Sequence, residues 1–127
     1  ISHRNSIRNL VFLTQQTQEH KKEDKNRSAI NINKDNFSQE VLNSEKPVLV
    51  DFWASWCGPC QKVLPLVDEI ARERNDIKVC KVNVDEQKDL AMKFRILSIP
   101  TLAVFKNGEL VSRSTGAKPK EEILEMI

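Results

Sequence analysis

The chain has 127 residues, of which 39% are hydrophobic and 30% charged, a composition typical of one folded domain with a single core. The net charge of +2 is too small to indicate nucleic-acid binding, and no apolar stretch is long enough to span a bilayer. The excess positive charge lies in residues 1–27, which hold six Lys or Arg against three Asp or Glu. We therefore expect neither a nucleic acid nor a membrane as a partner.

Residues 1–27 are predicted to be an N-terminal extension or linker that precedes a domain at residues 28–127. Residues 1–18 contain Arg4, Arg8 and no acidic residue, with apolar residues at helical spacing, which is typical of an organelle transit peptide. Residues 20–27 are polar and typical of a linker. An extension without any targeting role explains the same residues equally well, so both interpretations stay open.

The first half of the domain reads as strand, helix and strand. Residues 29–32 alternate like a short strand, and Asp35 is predicted to cap a helix that carries Phe37, Val41 and Leu42. Pro47 ends that region and begins an apolar strand at residues 48–53.

A longer helix is predicted from Cys57 to about Arg74. Pro65 lies in its interior and should kink it, because proline removes one backbone hydrogen bond and clashes with the preceding turn. Its inward face should comprise five apolar residues: Val63, Leu64, Val67, Ile70 and Ala71.

The second half begins with a predicted strand at residues 77–84, followed by a helix at residues 86–94 with Asp85 as its cap. Asn107-Gly108 is a strong hairpin signal, so strands at residues 101–106 and 109–114 should pair antiparallel. A last helix is predicted over residues 119–127. The strand–helix–strand order in the middle implies a right-handed crossover and a parallel pair, hence an α/β fold with a mixed sheet.

The pentapeptide Trp-Cys-Gly-Pro-Cys at residues 56–60 carries the clearest chemical signal. On the first turn of a helix, residues three apart have Cβ atoms about 5–6 Å apart. A disulfide prefers about 4 Å, so Cys57 and Cys60 need only small rotations to form one. Such a pair can open and close without refolding of the chain, which favours a redox role.

Two other roles for this pair are weighed against the redox role. A structural zinc site needs four ligands, but the remaining candidates are Cys80, in an alternating apolar stretch, and His3 and His20 in the extension. Cys80 is more simply a small apolar core residue, so we expect no metal site. A permanent structural bridge would close so short a loop that it would remove little entropy from the unfolded chain.

The part of the chain from Ser28 onward resembles the thioredoxin family. The matching segments are residues 48–54, the pentapeptide at 56–60, Pro65, residues 82–85, 98–102 and 105–108, and Gly116. The resemblance implies a thioredoxin fold, which is a three-layer α/β/α sandwich with a central mixed five-stranded sheet and four flanking helices. It also implies that the cysteines open the second helix, and that a cis peptide bond precedes Pro100 and faces them.

Residue chemistry suggests a role for each group in the pentapeptide region. Cys57 lies where a strand ends and a helix begins, so free backbone N–H groups and the helix dipole favour its thiolate, and we assign it as the nucleophile. Cys60, one turn further on, is the resolving thiol. Asp51, a carboxylate inside an apolar strand, should have a raised pKa and accept the proton of Cys60. The resemblance places Lys81 close to Asp51, whereas its position alone suggests an ordinary outward-facing, solvated lysine.

The substrate-binding residues are implied by the resemblance. They would form a shallow apolar rim for an extended peptide, and they are Trp56, Ile99, Pro100, Gly116 and Ala117. Gly58 and Pro59 between the cysteines are typical of the reducing members of the superfamily, since oxidases and isomerases carry a His there. Trp53 is expected to support the site from beneath.

These observations predict a protein dithiol–disulfide oxidoreductase that reduces partner disulfides and contributes to cell redox homeostasis. It should need no bound cofactor. The resemblance implies a flavin-containing, NADPH-dependent thioredoxin reductase as electron donor and disulfide-containing substrates such as peroxiredoxins. The expected location is the cytoplasm or another reducing compartment, or a mitochondrial or other organelle matrix if residues 1–27 derive from a transit peptide. The alternatives are a thiol oxidase or isomerase and a binding module that acts stoichiometrically.

Overall fold

The computed structural model describes residues 24–127. The predicted transit-peptide features of residues 1–18 lie outside this range. The elements, in chain order, are β1 (Ile30–Asn31), the π-helical turn α1 (Ser38–Leu42), β2 (Val48–Trp53), α2 (Gly58–Glu73), β3 (Lys78–Asn83), α3 (Lys88–Lys93), β4 (Thr101–Lys106), β5 (Glu109–Thr115) and α4 (Lys120–Met126). In this part of the chain no helix is both long and apolar enough to cross a membrane.

The five strands form one mixed sheet in the order β1-β3-β2-β4-β5. The pairs β1–β3 and β2–β3 are parallel, and β2–β4 and β4–β5 are antiparallel. Helix α2 connects β2 to its parallel neighbour β3, as the strand–helix–strand pattern predicted. The predicted mixed five-stranded sheet with four flanking helices is therefore confirmed.

The core has two layers because successive residues of a strand point to opposite faces of the sheet. The layer beneath α2 and α4 includes Leu49, Val63, Val67, Ile70, Leu102, Val104 and Ile123. The layer beneath α1 and α3 includes Val41, Val48, Val50, Phe52, Val82, Leu90 and Phe105. Leu49 and Val50 are adjacent in β2 yet belong to different layers, so this apolar strand is buried on both faces.

Two predicted helix caps are wrong. The N-cap of α1 is Phe37 and that of α3 is Gln87, and neither makes a side-chain capping bond. The side chain of Asn33 instead accepts hydrogen bonds from the backbone N–H groups of Asp35 and Asn36. Asn side chains that bond to the backbone two residues on stabilise a turn, so the chain turns before the helix begins.

The loop between β3 and α3 has the same arrangement. Asn83 Oδ1 accepts from the N–H groups of Asp85 and Glu86, and α3 starts only at Lys88. Asp85 is therefore not a cap, and its carboxylate accepts a hydrogen bond from Trp56 instead.

Helix α2 agrees with the prediction along most of its length. It buries Cys60, Val63, Val67, Ile70 and Ala71, whereas Leu64 is only half-buried, so its place on the inward face was wrong. Pro65 lies inside the helix on the exposed side. The predicted kink at Pro65 stays a prediction.

The turn between β4 and β5 matches the hairpin signal. Asn107 and Gly108 both have positive φ, 53° and 79°, as a two-residue turn of this kind requires. The sequence did not reveal a register shift close to the turn, between Val104 and Phe105. Because of this bulge, each later side chain of β5 points to the opposite face of the sheet from the one that an unbroken register would give it.

Residues 24–27, assigned from the sequence to the linker, contact the domain. The backbone N–H of Asp24 and the Nη2 of Arg27 both donate to the carbonyl oxygen of Arg72, each at 2.9 Å. The N–H of Ala29 donates to Asp68 Oδ1 at 2.8 Å. The chain thus lies against α2 before the first strand begins.

Candidate redox-active site

The two cysteines of the pentapeptide lie at the junction of β2 and α2. The backbone N–H of Cys57 donates to Ala54 in a tight turn after β2, and α2 begins at the next residue. Cys57 and Cys60 are joined by a disulfide, with their Cα atoms 5.3 Å apart. The prediction that helical spacing brings these two sulfurs together is therefore correct.

Cys57 occupies the N-cap position of α2, where Ser, Thr, Asp or Asn is usual. Its sulfur accepts a hydrogen bond from the backbone N–H of Cys60 at 3.2 Å. A sulfur at this position also lies at the positive end of a 16-residue helix. When the disulfide is reduced, both effects favour the thiolate of Cys57.

Gly58 and Pro59 separate the cysteines in the first turn of α2. Pro59 lies at a position where helices tolerate proline, because the first N–H groups of a helix have no partner within it. A Cβ added to Gly58 would meet no atom within 4 Å, so space alone does not require glycine there.

Asp51 lies in the middle of β2 with a solvent exposure of 0%. Neither carboxylate oxygen has a hydrogen-bond partner among the described residues. Burial is the main reason that the pKa of Asp51 rises from its usual 3.8 to about 7, with Lys81 opposing the rise and Asp68 adding to it. The predicted raised pKa thus has burial as its physical cause.

Lys81 is the direct neighbour of Asp51 in the parallel pair of β2 and β3. It is half-buried, and its Nζ lies 5.9 Å from the centre of the Trp53 ring. The alternative of a fully solvated, outward-facing lysine therefore does not describe its position. Trp53 packs against the cluster of Ala54, Cys57 and Cys60, in the supporting place predicted for it.

The predicted rim surrounds Cys57 on one side. The Ile99–Pro100 peptide bond is cis, and the carbonyl oxygen of Ile99 lies 3.7 Å from the sulfur of Cys57. The N–H of Gly116 donates to the carbonyl oxygen of Pro100 at 2.8 Å, and Ala117 follows in an exposed position. The chain segments at Cys57, Pro100 and Gly116 are therefore neighbours in space.

Trp56 directly precedes Cys57 and lies next to Ile99 in the same groove. Its side chain is 69% exposed, and its Nε1 donates to Asp85 Oδ2 at 2.8 Å. Asp85, predicted as a helix cap, instead holds the indole ring at the edge of the site.

Sequence reasoning missed most of the groove next to the disulfide. A groove of about 370 Å³ is lined by Trp56, Val84, Ile96, Leu97, Ser98 and Ile99. Leu97 is 94% exposed, which is unusual for leucine. The available signal was three apolar residues, Ile96, Leu97 and Ile99, in a segment that no predicted helix or strand included.

Cys80 does not belong to this site. It is fully buried in β3 beside Val50 and Ile30, and burial raises the pKa of its thiol to about 12. Across residues 24–127, no group of three His, Cys, Asp or Glu side chains is placed to hold a metal ion.

Comparison with known proteins agrees with this arrangement. The family model described as thioredoxin matches residues 28–127. Thioredoxin 1 of Nostoc sp. is 50% identical over 101 residues, covering 79% of this chain and 94% of the relative. A thioredoxin of Mycobacterium tuberculosis is 50% identical over 98 residues, covering 76% and 84%. Among solved structures, a mutant thioredoxin from Halobacterium salinarum NRC-1 has a TM-score of 0.73 and 32% identity, covering 79% and 88%.

Proposed function

The chain belongs to the thioredoxin family, and we propose that Cys57 is its attacking nucleophile and Cys60 its resolving thiol. The protein is a thiol–disulfide oxidoreductase with protein-disulfide reductase activity. The observation that carries the assignment is the position of Cys57, whose sulfur caps α2 and accepts from the N–H of Cys60. We also propose that residues 28–127 are the catalytic domain and residues 1–27 an extension.

The reaction begins with the protein in its dithiol form. The Cys57 thiolate attacks one sulfur of a substrate disulfide, the substrate S–S bond breaks, and the released substrate thiolate takes up a proton from water. The Cys60 thiol then loses its proton and attacks the Cys57 sulfur, which releases the second substrate thiolate. The substrate gains two electrons, and the protein is left with the Cys57–Cys60 disulfide.

Asp51 is the proposed proton acceptor for Cys60. With a pKa of about 7, its carboxylate can take a proton near neutral pH and return it, which suits a general base. Lys81 is the proposed positioning partner, since its charge favours the ionised form of Asp51. The buried carboxylate without a hydrogen-bond partner supports this assignment.

Substrate recognition is proposed to occur on the rim beside Cys57. Its members are Trp56, Gly58, Pro59, Ile99, Pro100, Gly116 and Ala117. The apolar groove next to Trp56 gives this rim a place for one side chain of the bound peptide.

Membership of the family implies a reductase as electron donor and disulfide-containing proteins as targets in general. We propose that the donor is a flavin-containing, NADPH-dependent thioredoxin reductase and that peroxiredoxins are among the targets. A reducing compartment, the cytoplasm or an organelle matrix, is the proposed location.

Insulin reduction with dithiothreitol as electron donor tests the assignment of the two cysteines. The wild-type protein should catalyse insulin reduction, and Cys57→Ser should be inactive. Cys60→Ser should accumulate a mixed disulfide with insulin through Cys57. Cys80→Ala is the matched control and should retain wild-type activity. Mixed disulfides through Cys60 in the Cys57→Ser variant would contradict the assignment.

The reduction potential separates a reductase from an oxidase. Thioredoxins as a family have potentials of about −270 mV, a value taken from the family and not from this geometry, whereas strongly oxidising relatives reach about −120 mV. A potential near the second value would favour an oxidase. Retention of the cellular function after replacement of both cysteines by Ser would favour the stoichiometric binding module.

A further inference from the structure

We propose that Arg113, on strand β5, is a positioning residue for the recognition of protein disulfides, because it holds in place the loop that forms the groove beside Cys57. This inference rests on the reductase function proposed above. Arg113 itself lies outside the groove, so its effect acts through the loop at residues 95–99.

The guanidinium group of Arg113 contacts the end of α3. Its Nη1 donates to the carbonyl oxygen of Phe94 at 2.8 Å, and its Nη2 donates to that of Arg95 at 3.2 Å. Phe94 is the C-cap of α3 and Arg95 follows it, so these two carbonyls lie near the negative end of the helix dipole. A planar, charged group with two parallel donors is well suited to satisfy two consecutive carbonyls.

The bulge in β5 is what directs Arg113 toward α3. Before the shift, Phe105 pairs with Leu110, and after it Val104 pairs with Ser112 and Ala103 with Arg113. Ala103 faces the core layer beneath α3, so Arg113 lies on that face. Without the extra residue in β5, Ser112 would lie opposite Ala103 and Arg113 would point to the other face. Ser112 and Ser114 instead lie next to α4.

The loop that Arg113 holds carries the groove. Arg95 has a φ of 52°, which a residue with a side chain rarely adopts, and the contact of Arg113 with its carbonyl oxygen adds to the local backbone hydrogen bonds that keep this turn. The next four residues, 96–99, all line the groove with Trp56. The last of them, Ile99, places its carbonyl oxygen 3.7 Å from the Cys57 sulfur.

The side chains of the loop contribute unequally to its position, because Ile96 and Ile99 pack against the core whereas Leu97 does not. Leu97 is 94% exposed and packs on almost nothing in the isolated protein. The backbone of the loop is held by the N–H groups of Arg95 and Ile96, which donate to Met92 and Ala91, and by Thr101 Oγ1, which donates to the carbonyl oxygen of Ser98. The two carbonyls bound by Arg113 add a contact from outside the loop. Loss of Arg113 should therefore alter the groove while leaving the disulfide and α2 in place.

The test compares wild type, Arg113→Ala and Arg113→Lys in their reduced forms. For each, the second-order rate constant of oxidation is measured with insulin and with the small disulfide hydroxyethyl disulfide, in low salt and in 0.5 M salt. Lys106→Ala is the matched control, because it removes one positive charge from the exposed far end of the same hairpin.

For Arg113→Ala we expect a loss of about three- to tenfold with insulin, at both salt concentrations, and no change with the small disulfide. Arg113→Lys should recover part of the loss, since a single ammonium group cannot hold both carbonyls in a planar fork. Hydrogen exchange at the Ile96 amide should accelerate in Arg113→Ala, while exchange in β2 stays unchanged.

Three results would overturn the proposal. These are an unchanged rate with insulin, an equal loss with both disulfides, or a loss that disappears in 0.5 M salt, which would identify charge steering in place of loop positioning. Failure of the reductase function is distinguishable, because wild type itself would then not be oxidised by insulin.

Discussion

Two buried regions of this protein contain cysteine, and they differ in nearly every property that governs reactivity. At the junction of β2 and α2, Cys57 and Cys60 lie within bonding distance at a helix N-terminus. In the middle of β3, Cys80 is enclosed by the sheet, and its thiol pKa is raised to about 12. Cys57 retains an exposure of only 4%, so exposure alone does not separate the two regions.

The difference is made by what surrounds each sulfur. Cys57 has a hydrogen-bond donor, a helix dipole, a second sulfur and an adjacent groove, whereas Cys80 has apolar neighbours in the core. The same burial that makes Cys80 unreactive brings the pKa of Asp51 to about 7, where a carboxyl group can exchange protons. Burial thus keeps the Cys80 thiol protonated and unreactive, whereas it brings the pKa of Asp51 into the range where proton transfer is possible.

Alkylation of the reduced protein tests this comparison most directly. At pH 7, iodoacetamide should modify Cys57 roughly 10⁴-fold faster than Cys80, because a thiol with a pKa of about 12 is ionised to only about one part in 10⁵. Mass spectrometry of the two cysteine-containing peptides over time gives both rates. Labelling of Cys80 within tenfold of Cys57 in the folded protein would remove the distinction between the two regions.

The pH dependence of stability tests the burial of Asp51. A carboxyl group whose pKa is raised by folding binds its proton more tightly in the folded state, so stability falls as pH rises from 3.8 to about 7 and stays lower above it. The full loss is about 4 kcal/mol. Asp51→Asn should therefore be more stable than wild type by up to that amount at pH 8.

Denaturant unfolding at pH 4 and pH 8 measures this effect. The difference in free energy of unfolding between Asp51→Asn and wild type should nearly vanish at pH 4. At that pH the wild-type carboxyl group is largely protonated in the folded state, so wild type has lost little stability. Asp89→Asn, on the surface helix α3, is the control and should show no such pH dependence. A gain of equal size at both pH values would mean that proton binding at Asp51 does not cause it.

The smallest expected effect concerns Lys81. Removal of its charge in Lys81→Met should raise the pKa of Asp51, because the ionised carboxylate loses a favourable neighbour. The pH–rate profile of insulin reduction should shift to higher pH, and the rate at pH 7 should fall by about twofold. Lys81→Arg keeps the charge and should leave the profile in place. A shift to lower pH in Lys81→Met would show that Lys81 does not favour the ionised form.

Much of the fold could be predicted because its signals are local. The strand Val48–Trp53 and the hairpin at Asn107-Gly108 follow from an unbroken apolar run and from residues that accept positive φ. The helix caps could not be predicted in this way. Asn33 and Asp35 are both good capping residues, and only the path of the loop decided that Asn33 would stabilise a turn.

The same distinction between local and distant contacts applies to the site. The spacing of Cys57 and Cys60 and the carboxylate within an apolar strand were visible in the sequence, because they depend on neighbours along the chain. The groove residue Leu97 and the contact of Arg113 with the end of α3 were not, since each depends on segments that are distant in sequence.

The order of the elements, the redox pair and the position of the buried acid could be predicted from the amino-acid sequence, because periodicity and residue spacing express them directly. The surroundings of the redox pair, in contrast, depend on how distant segments of the chain fold together. A one-residue bulge in β5 sets the face on which Arg113 lies, and the path of the chain after β3 brings Asp85 to the indole N–H of Trp56. Such contacts join residues brought together by folding, and neither composition nor local pattern records them.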